Sequence, residues 1–450
     1  MASGTFEAMN KVRPGAYINF QSASQPLNMV GDRGIATLPI QMNFGANDVL
    51  ISLTPEQLLD GSCESIIGCN IMDEESLIYQ QVLTDCSKVL LFRMDTGGTK
   101  AKLILNNLTA TAKYAGVGGN KIAVSVVENG SAFDVITTFN GIVKDTQTGT
   151  TVGDIENNDF VDFSGTSSAS LTADAGGELE DGTNGTVVNS NYTRYFELLK
   201  TAKWNTMGIP LETSTEIHAQ VKSFISYMRE TTGTKVQAVL NNIDADTEGI
   251  ISTLNQGYIS AQYEITVPIF VARVTGMSAG CAINKSLTYY AFEDATEIIN
   301  QLTHEQIIDA LRRGKFILSS RQDGVVVVEQ DINTLHTFTA LKDYSFSKNR
   351  VIRTIDQINN DIRLLFEKSY LGKQNNNDDG REIFKADIVD YLNKLQKMGA
   401  IQNFDGSTDI TIRQGANLDE VVVELYLQPV DSMEKLYMKD KFVSHFKYIN

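Results

Sequence analysis

The sequence predicts a multidomain α/β protein: a layered α/β core, an all-β domain inserted into it, and a C-terminal α+β domain with terminal arms suited to swapping between copies. Three observations carry that prediction. Helical and strand-like stretches alternate through residues 187–345, the order that lays helices over a largely parallel sheet. Residues 96–186 hold 14 of the 34 glycines and no proline, among short Thr/Val/Ile segments. The last hundred or so residues read as two helices and a hairpin, followed by strand-like sequence with no partner nearby.

Taken in order, residues 1–20 form an extended lead and a short strand candidate, Ala16, Tyr17, Ile18, Asn19 and Phe20, set off by Pro14-Gly15. Residues 21–95 open the core. Thr54-Pro55-Glu56-Gln57 is a capping box with proline at the first helical position, and a helix over 74–84 leads into the apolar strand KVLLFR at 88–93. In the insertion, 96–186, KIAVSVV and DVITTF alternate as half-buried strands do. The core resumes over 187–345, with helices at about 193–205, 214–231 and 303–313. Strands are expected at 235–240, 265–274 (ITVPIFVARV), 315–320 and 324–329, and Thr213 with Glu216 and Thr303 with Gln306 supply further capping boxes.

The C-terminal domain, 346–430, begins with Val351, Ile355, Ile358, Ile362 and Leu365 on one helix face, and Gly372 ends that helix. After the turn-rich NNNDDGR, a second helix over 382–398 places Ile383, Ile388, Tyr391, Leu392 and Leu395 on one side. DITIR (409–413) and EVVVELYL (420–427) then form a hairpin that offers Ile410, Ile412, Val421, Val423 and Leu425. The tail, 431–450, carries another extended segment, Leu436 to Val443, with Leu436, Tyr437, Met438, Phe442 and Val443 as its apolar positions. A two-stranded hairpin is marginal in water, and an exposed edge accepts an added strand. The two stray strands therefore either augment the sheets of neighbouring copies, or are frayed termini or arms folded back on their own sheet.

Composition bounds function. At 450 residues the chain exceeds one typical core, and two to four domains are expected. Its net charge of -17 argues against general nucleic-acid binding, which is built from Lys and Arg patches. The charge is uneven: residues 348–450 hold 15 Lys or Arg against 16 Asp or Glu, so nearly all the excess lies before them. Lys348, Arg350, Arg353, Arg363 and Lys368 make the first C-terminal helix basic enough to face an acidic partner, although a solvated face fits equally. No apolar run reaches membrane-spanning length, and MASGTFEAMNK lacks a signal-peptide pattern, so synthesis and folding in a cytoplasm are expected. Cys63, Cys69, Cys86 and Cys281 have no zinc-ribbon spacing and read as small buried residues.

The motifs that could be chemistry are weak. Gly276-Met277-Ser278-Ala279-Gly280 matches G-x-S-x-G after a predicted strand, with Asp294 or Asp309 and then His336 in hydrolase order. No oxyanion-hole glycine motif lies upstream, and the favoured reading is a tight turn. AGVGGNK at 115–121 lacks the glycine before Lys121 and the Ser/Thr after it that a phosphate loop requires. Asp244, Asp246 and Glu248 open like a calcium loop, but Asn255 stands where a bidentate Glu belongs. Asn375–Asp379 most simply connects two helices, and His218, His304, His336 and His445 fall at no metal-ligand spacing. The chain is expected to have no catalytic, cofactor or metal site.

Six stretches together resemble the contractile-tail sheath family of long-tailed phages and headless phage-tail-like bacteriocins, in the form found in Gram-positive hosts. They are NKVRPGAYINF (10–20), AKYAGVGGNKIAVSV (112–126), LEDGTNG (179–185), DADTEGIIS (244–252), KNRVIRTIDQINNDI (348–362) and QPVDSMEKLYM (428–438). The resemblance implies a subunit that stacks as hexameric rings around a tail tube, joined by exchanged arms, and contracts to drive the tube through a cell envelope. It implies as partners other copies, the tube protein, and baseplate and tail terminator proteins, with no nucleic acid and no membrane insertion. It places the subunit in a phage tail or tail-like particle assembled in the host and released on lysis. It also implies an innermost C-terminal domain, which makes Lys348, Arg350 and Arg353 candidates to touch the tube. Readings from other classes are a serine hydrolase using Ser278 and a passive lattice-forming surface protein.

Overall fold

The structure, a computed structural model, describes residues 2–4, 15–17, 31, 33–212, 214–254 and 256–440. It divides into two compact units, one of residues 32–360 with the segment from Pro429 onward, the other of 361–428 with the N-terminal strands.

The larger unit is built on a seven-stranded sheet. Across it run Lys315–Phe316, Ile250–Thr253, Gln237–Asn241, Thr206–Gly208, Ile35–Ile40, Lys88–Arg93 and Leu50–Leu53, every neighbouring pair parallel except the last. Alternation along the strands divides the core. Leu90 and Phe92 join a cluster with Tyr195, Phe196, Trp204 and Phe224 from the helices Ser190–Leu199 and Thr215–Ser226 and the chain that follows the first of them. Val89 and Leu91 join Tyr79, Val82 and Ala272 on the opposite face. Helices thus cover both faces, and each fully buried side chain adds roughly 1.5–3 kcal/mol to that layering. Phe196 and Phe224 stack with ring centroids 4.7 Å apart.

The second cover contains the main departure from the sequence reading. Residues 265–274, expected as a strand, lie mostly in the helix Val267–Gly280, opened by proline in its first turn and buried almost throughout. A helix that is apolar all round has no amphipathic period, so pattern alone cannot separate it from a buried strand. The G-x-S-x-G motif is correspondingly neither elbow nor tight turn. It is the last turn of this helix, packed on the helix Leu77–Leu83. A Cβ on Gly276 would stand 2.0 Å from the Val82 carbonyl oxygen, and one on Gly280 1.7 Å from that of Asp85. The two glycines permit close helix approach, i to i+4 on one face.

Smaller adjustments have local causes. Thr54 and Thr303 form the expected capping boxes. Thr213 lies outside the described residues, and the helix Thr215–Ser226 is capped by Ser214, whose hydroxyl accepts the Ile217 N–H. The expected 315–320 strand divides into Lys315–Phe316 in the large sheet and Leu318–Ser320 in a small antiparallel one.

The insertion is a β-sandwich. Four strands, Ile142–Gly149, Ala132–Phe139, Ile122–Asn129 and Asp174–Glu178, face three, Val161–Gly165, Leu108–Ala112 and Lys102–Leu105. Ile122, Val124 and Val126 of one sheet and Leu108, Ala110 and Ala112 of the other fill a shared core. The chain leaves and rejoins the large sheet through the antiparallel pair Asp95–Thr96 and Thr186–Val187. A buried ion pair holds that junction. Arg93 and Asp95 meet at 2.6 Å with side chains 1% and 0% exposed. Arg93 also donates to the carbonyls of Gly45 (2.8 Å) and Ala115 (2.7 Å), while Asp95 accepts the Met42 N–H (2.9 Å). Burial pushes the Asp95 carboxyl up, but these bonds outweigh it and hold it below its usual range.

The smaller unit contains the helix Asp378–Lys397, which begins four residues earlier than expected. Asn377 caps it by accepting the Gly380 N–H at 2.9 Å, so the Asn-rich turn supplies its own helix start. The buried face is Phe384, Ile388, Tyr391, Leu392 and Leu395, because 384, 388, 391 and 395 follow the helical period, while Ile383, expected on that face, is exposed.

Candidate assembly interface

The hairpin lies in the smaller unit. Ile410–Gln414 pairs antiparallel with Val421–Leu425 in a two-stranded sheet, with Ile410 opposite Leu425, Ile412 opposite Val423 and Gln414 opposite Val421. Cross-strand partners share a face, so Ile410, Ile412, Val421, Val423 and Leu425 form one apolar surface. Ile410 is buried and the other four are half-buried. Arg413 and Glu424 pair at 3.1 Å on the opposite face. The 375–379 turn does more than connect helices: the Asn376 amide donates to the carbonyls of Leu418 and Glu420, both at 2.8 Å, and so grips the hairpin loop. Each hairpin strand keeps one edge without a strand partner among the described residues.

The tail belongs to the larger unit. Leu436 to Asp440 adopts no regular secondary structure, and Phe442 and Val443 lie outside the described residues. The apolar positions are open: Leu436, Tyr437 and Met438 are 87%, 88% and 71% exposed, and Met433 is fully so. At the other terminus Gly15–Tyr17 is a strand, which covers Ala16 and Tyr17, while Ile18, Asn19 and Phe20 lie outside the described residues. It pairs in parallel with Ala2–Gly4 of the same chain.

The basic helix is used differently from expectation. Lys348 and Arg353 were candidates for an exposed, partner-facing charge row, and both are buried. Arg353 donates to Asp331 at 2.6 Å and to the Lys285 carbonyl at 3.1 Å, and Asp331 also accepts the Leu287 N–H and the Asn349 amide, each at 2.9 Å. Lys348 pairs with Glu434. Arg350 is half-buried and reaches the Ser432 hydroxyl at 3.0 Å. A buried ion must find a counter-charge, and these found theirs far away in sequence. Glu434 was not singled out by the sequence reading; one acidic residue in a polar tail gives no periodic signal.

The chemical candidates resolve into structural parts. Ser278 is buried in a helix and its hydroxyl has no hydrogen-bond partner among the described residues, while His336 Nδ1 lies 3.3 Å from Asp246 and 2.9 Å from the Thr334 carbonyl. Asp244 pairs with Lys315 at 2.5 Å, and Asp246 accepts backbone N–H groups of His336 and Thr337. Glu248 pairs with Lys342 at 2.8 Å, so the three carboxylates of the calcium-like segment serve separate partners; Asn255 lies outside the described residues. Residues 117–121 form a single 3-10 turn that runs into the strand Ile122–Asn129, without the helix a phosphate loop needs. Burial raises the thiols of Cys63 to about 11 and of Cys69 and Cys86 to about 12.

The parallel sheet reverses its order between Ile35–Ile40 and Thr206–Gly208, the position where α/β sheets carry ligands. A cleft of about 400 Å³ lies there, lined by Pro39, Ile40, Tyr79, Met94, Tyr192 and Pro210 among others, with no Lys, Arg or glycine in its wall. Such a lining suits apolar contact rather than a phosphate group.

Comparison with known proteins places this architecture. Residues 96–184 match the phage tail sheath protein beta-sandwich domain, 185–334 the phage tail sheath protein central domain, and 341–442 the phage tail sheath C-terminal domain. The chain is 32% identical over 464 residues to the phage-like element PBSX protein XkdK of Bacillus subtilis, covering 97% of this chain and 99% of that one. The crystal structure of a sheath tail protein from Desulfitobacterium hafniense superposes with a TM-score of 0.81 at 38% identity, over 94% of this chain and 99% of that one. The fold is also that of the sheath complex of an extracellular contractile injection system, PVC, in its contracted state: TM-score 0.59 at 11% identity, over 97% and 99% of the two chains. A mixed α/β fold with an inserted β-sandwich, matched by three sheath domain profiles and by full-length relatives, identifies the chain as a member of the contractile tail sheath family and a sheath subunit of a phage tail or tail-like particle.

Proposed function

We propose that this subunit stacks as hexameric rings around a tail tube and contracts to drive the tube through a cell envelope, with its terminal segments exchanged between copies. The observation that carries the proposal is the tail itself, where Met433, Leu436, Tyr437 and Met438 are extensively exposed beside an otherwise well-packed core. Open apolar side chains of this size mark an interaction surface. The hairpin supplies the matching half, two strand edges, and an added strand would pair with one of them and extend the apolar row of Ile410, Ile412, Val421, Val423 and Leu425. Contraction is then a slide between packing states, the extended lattice being held kinetically and the arms keeping it joined.

In this reading the chain divides as an N-terminal arm (1–20), core halves (21–95 and 187–345), an outward-facing β-domain (96–186), an inner domain (346–430) and a C-terminal arm (431–450). The tube, baseplate and terminator proteins are its other partners. The protein is made in the host cytoplasm, built into the particle there and released on lysis, and its work is structural rather than catalytic. The test is negative-stain microscopy of the full chain beside deletions of residues 1–20 and 433–450. The full chain is expected to form striated tubes and each deletion to remain a folded, soluble monomer. A deletion that polymerises as the full chain does, or a full chain that gives flat sheets or discrete particles, overturns the proposal.

A further inference from the structure

The C-terminal segment is open over residues 436–440 but not at 434. The Glu434 side chain is 10% exposed and accepts from three elements of the larger unit. The Thr288 hydroxyl donates to Oε1 at 2.8 Å, the Gln330 amide donates to Oε2 at 2.6 Å, and Lys348 Nζ pairs with Oε2. The network continues inward. The Asp331 N–H donates to Thr288 Oγ1 at 2.9 Å, and the Asp331 carboxylate holds Arg353 and Asn349. Burial pushes the Glu434 carboxyl up, but the bonds from Lys348, Gln330 and Thr288 outweigh it and keep it below its usual range, so it is ionised where its partners need it.

The contrast along the segment is sharp. Met433 is fully exposed and Leu436 nearly so, while the carboxylate between them is sealed in. Among the described residues two polar side chains hold this stretch, Ser432 through Arg350 at 3.0 Å and Glu434 through its three donors, and Glu434 is the last of them before the open residues.

We infer that Glu434 is a latch: it fixes the point at which the C-terminal segment leaves its own subunit. Residues before it belong to the parent core, and residues after it are free to reach a neighbour. Tension on the segment enters the core at Lys348, Gln330 and Thr288 and passes through Asp331 to Arg353, the first turns of the long helix Asn349–Leu365. The role in linkage rests on the arm reading above; the attachment itself does not.

The test uses tryptic cleavage of the unassembled fraction of the full chain, separated from tubes by ultracentrifugation, followed by mass spectrometry. Cleavage after Lys435 needs the backbone on both sides of Glu434 to open, whereas cleavage after Lys439 lies outside the anchor. In Glu434→Gln, cleavage after Lys435 is expected to accelerate roughly tenfold to a hundredfold, the loss of charge-assisted bonds converted at tenfold per 1.4 kcal/mol. Cleavage after Lys439 and the melting temperature should stay unchanged. Lys348→Glu should behave alike, and Lys348→Arg, which keeps the charge on Glu434, should keep the slow rate. Native-rate cleavage in Glu434→Gln, or a Lys348→Arg variant as fast as Lys348→Glu, overturns the latch; if Lys348→Glu fails to fold, Glu434→Gln decides alone. Because no assembly is involved, failure here leaves the arm proposal to the truncations.

Discussion

At the scale of single residues, the larger unit is pinned by buried ions. Arg93 with Asp95, Arg229 with Asp356 at 2.6 Å, and Arg353 with Asp331 each sit almost entirely out of water. Such pairs add little net stability compared with apolar replacements, but breaking one strands a charge. Arg353→Met is therefore expected to lower the unfolding free energy by about 3–5 kcal/mol, read by urea denaturation of the soluble protein. A loss under about 1 kcal/mol would mean that Asp331 is satisfied by Leu287 and Asn349 alone. A charge reversal at Arg353 that blocked assembly would therefore report a damaged fold, not a lost contact with another protein. None of this was legible in the sequence. Lys348 and Arg353 look like a solvated basic face because their partners, Glu434 and Asp331, lie in other segments, and local spacing carries no trace of such pairs.

At the scale of elements, legibility followed local chemistry. Thr54 and Thr303 announced their helices because a capping box is satisfied within four residues. Two of the sandwich strands, Ile122–Asn129 and Ala132–Phe139, announced themselves by alternation, since each has one buried face, whereas Asp174–Glu178 has none and was not foreseen. The helix Val267–Gly280 did not, because burial on all sides erases the period, and the start of the helix Asp378–Lys397 was hidden in a turn-like NNNDDG. Gly276 offers a check on the first of these. Gly276→Ala would place a methyl group 2.0 Å from a backbone carbonyl oxygen. Overpacking of that kind costs about 1–3 kcal/mol, measured as a lowered melting temperature. Ser278→Ala should cost almost nothing, because its buried hydroxyl has no partner to lose among the described residues. If the alanine at 276 is neutral, the close packing of the helices Val267–Gly280 and Leu77–Leu83 is wrong.

At the scale of the whole molecule, the packed units contrast with the tail. The large sheet, its helices and the core of the sandwich are well buried, whereas Met433, Leu436, Tyr437 and Met438 are open and four apolar residues of the hairpin are only half-buried. A subunit stable alone yet incomplete in these places is what a lattice protein needs, because assembly then covers surface already present. The junction at Arg93 and Asp95 adds that the sandwich is tied to the sheet at both crossings of the chain. The central claim is that another copy completes the hairpin, and a cryo-electron microscopy map of tubes assembled from the full chain tests it most directly. The account predicts that the strand beside Ile410–Gln414 or Val421–Leu425 traces to residues 436–443 of a different subunit, with each chain leaving its own core at Glu434. A map in which every hairpin is completed by its own chain, or in which that edge stays bare, would contradict it.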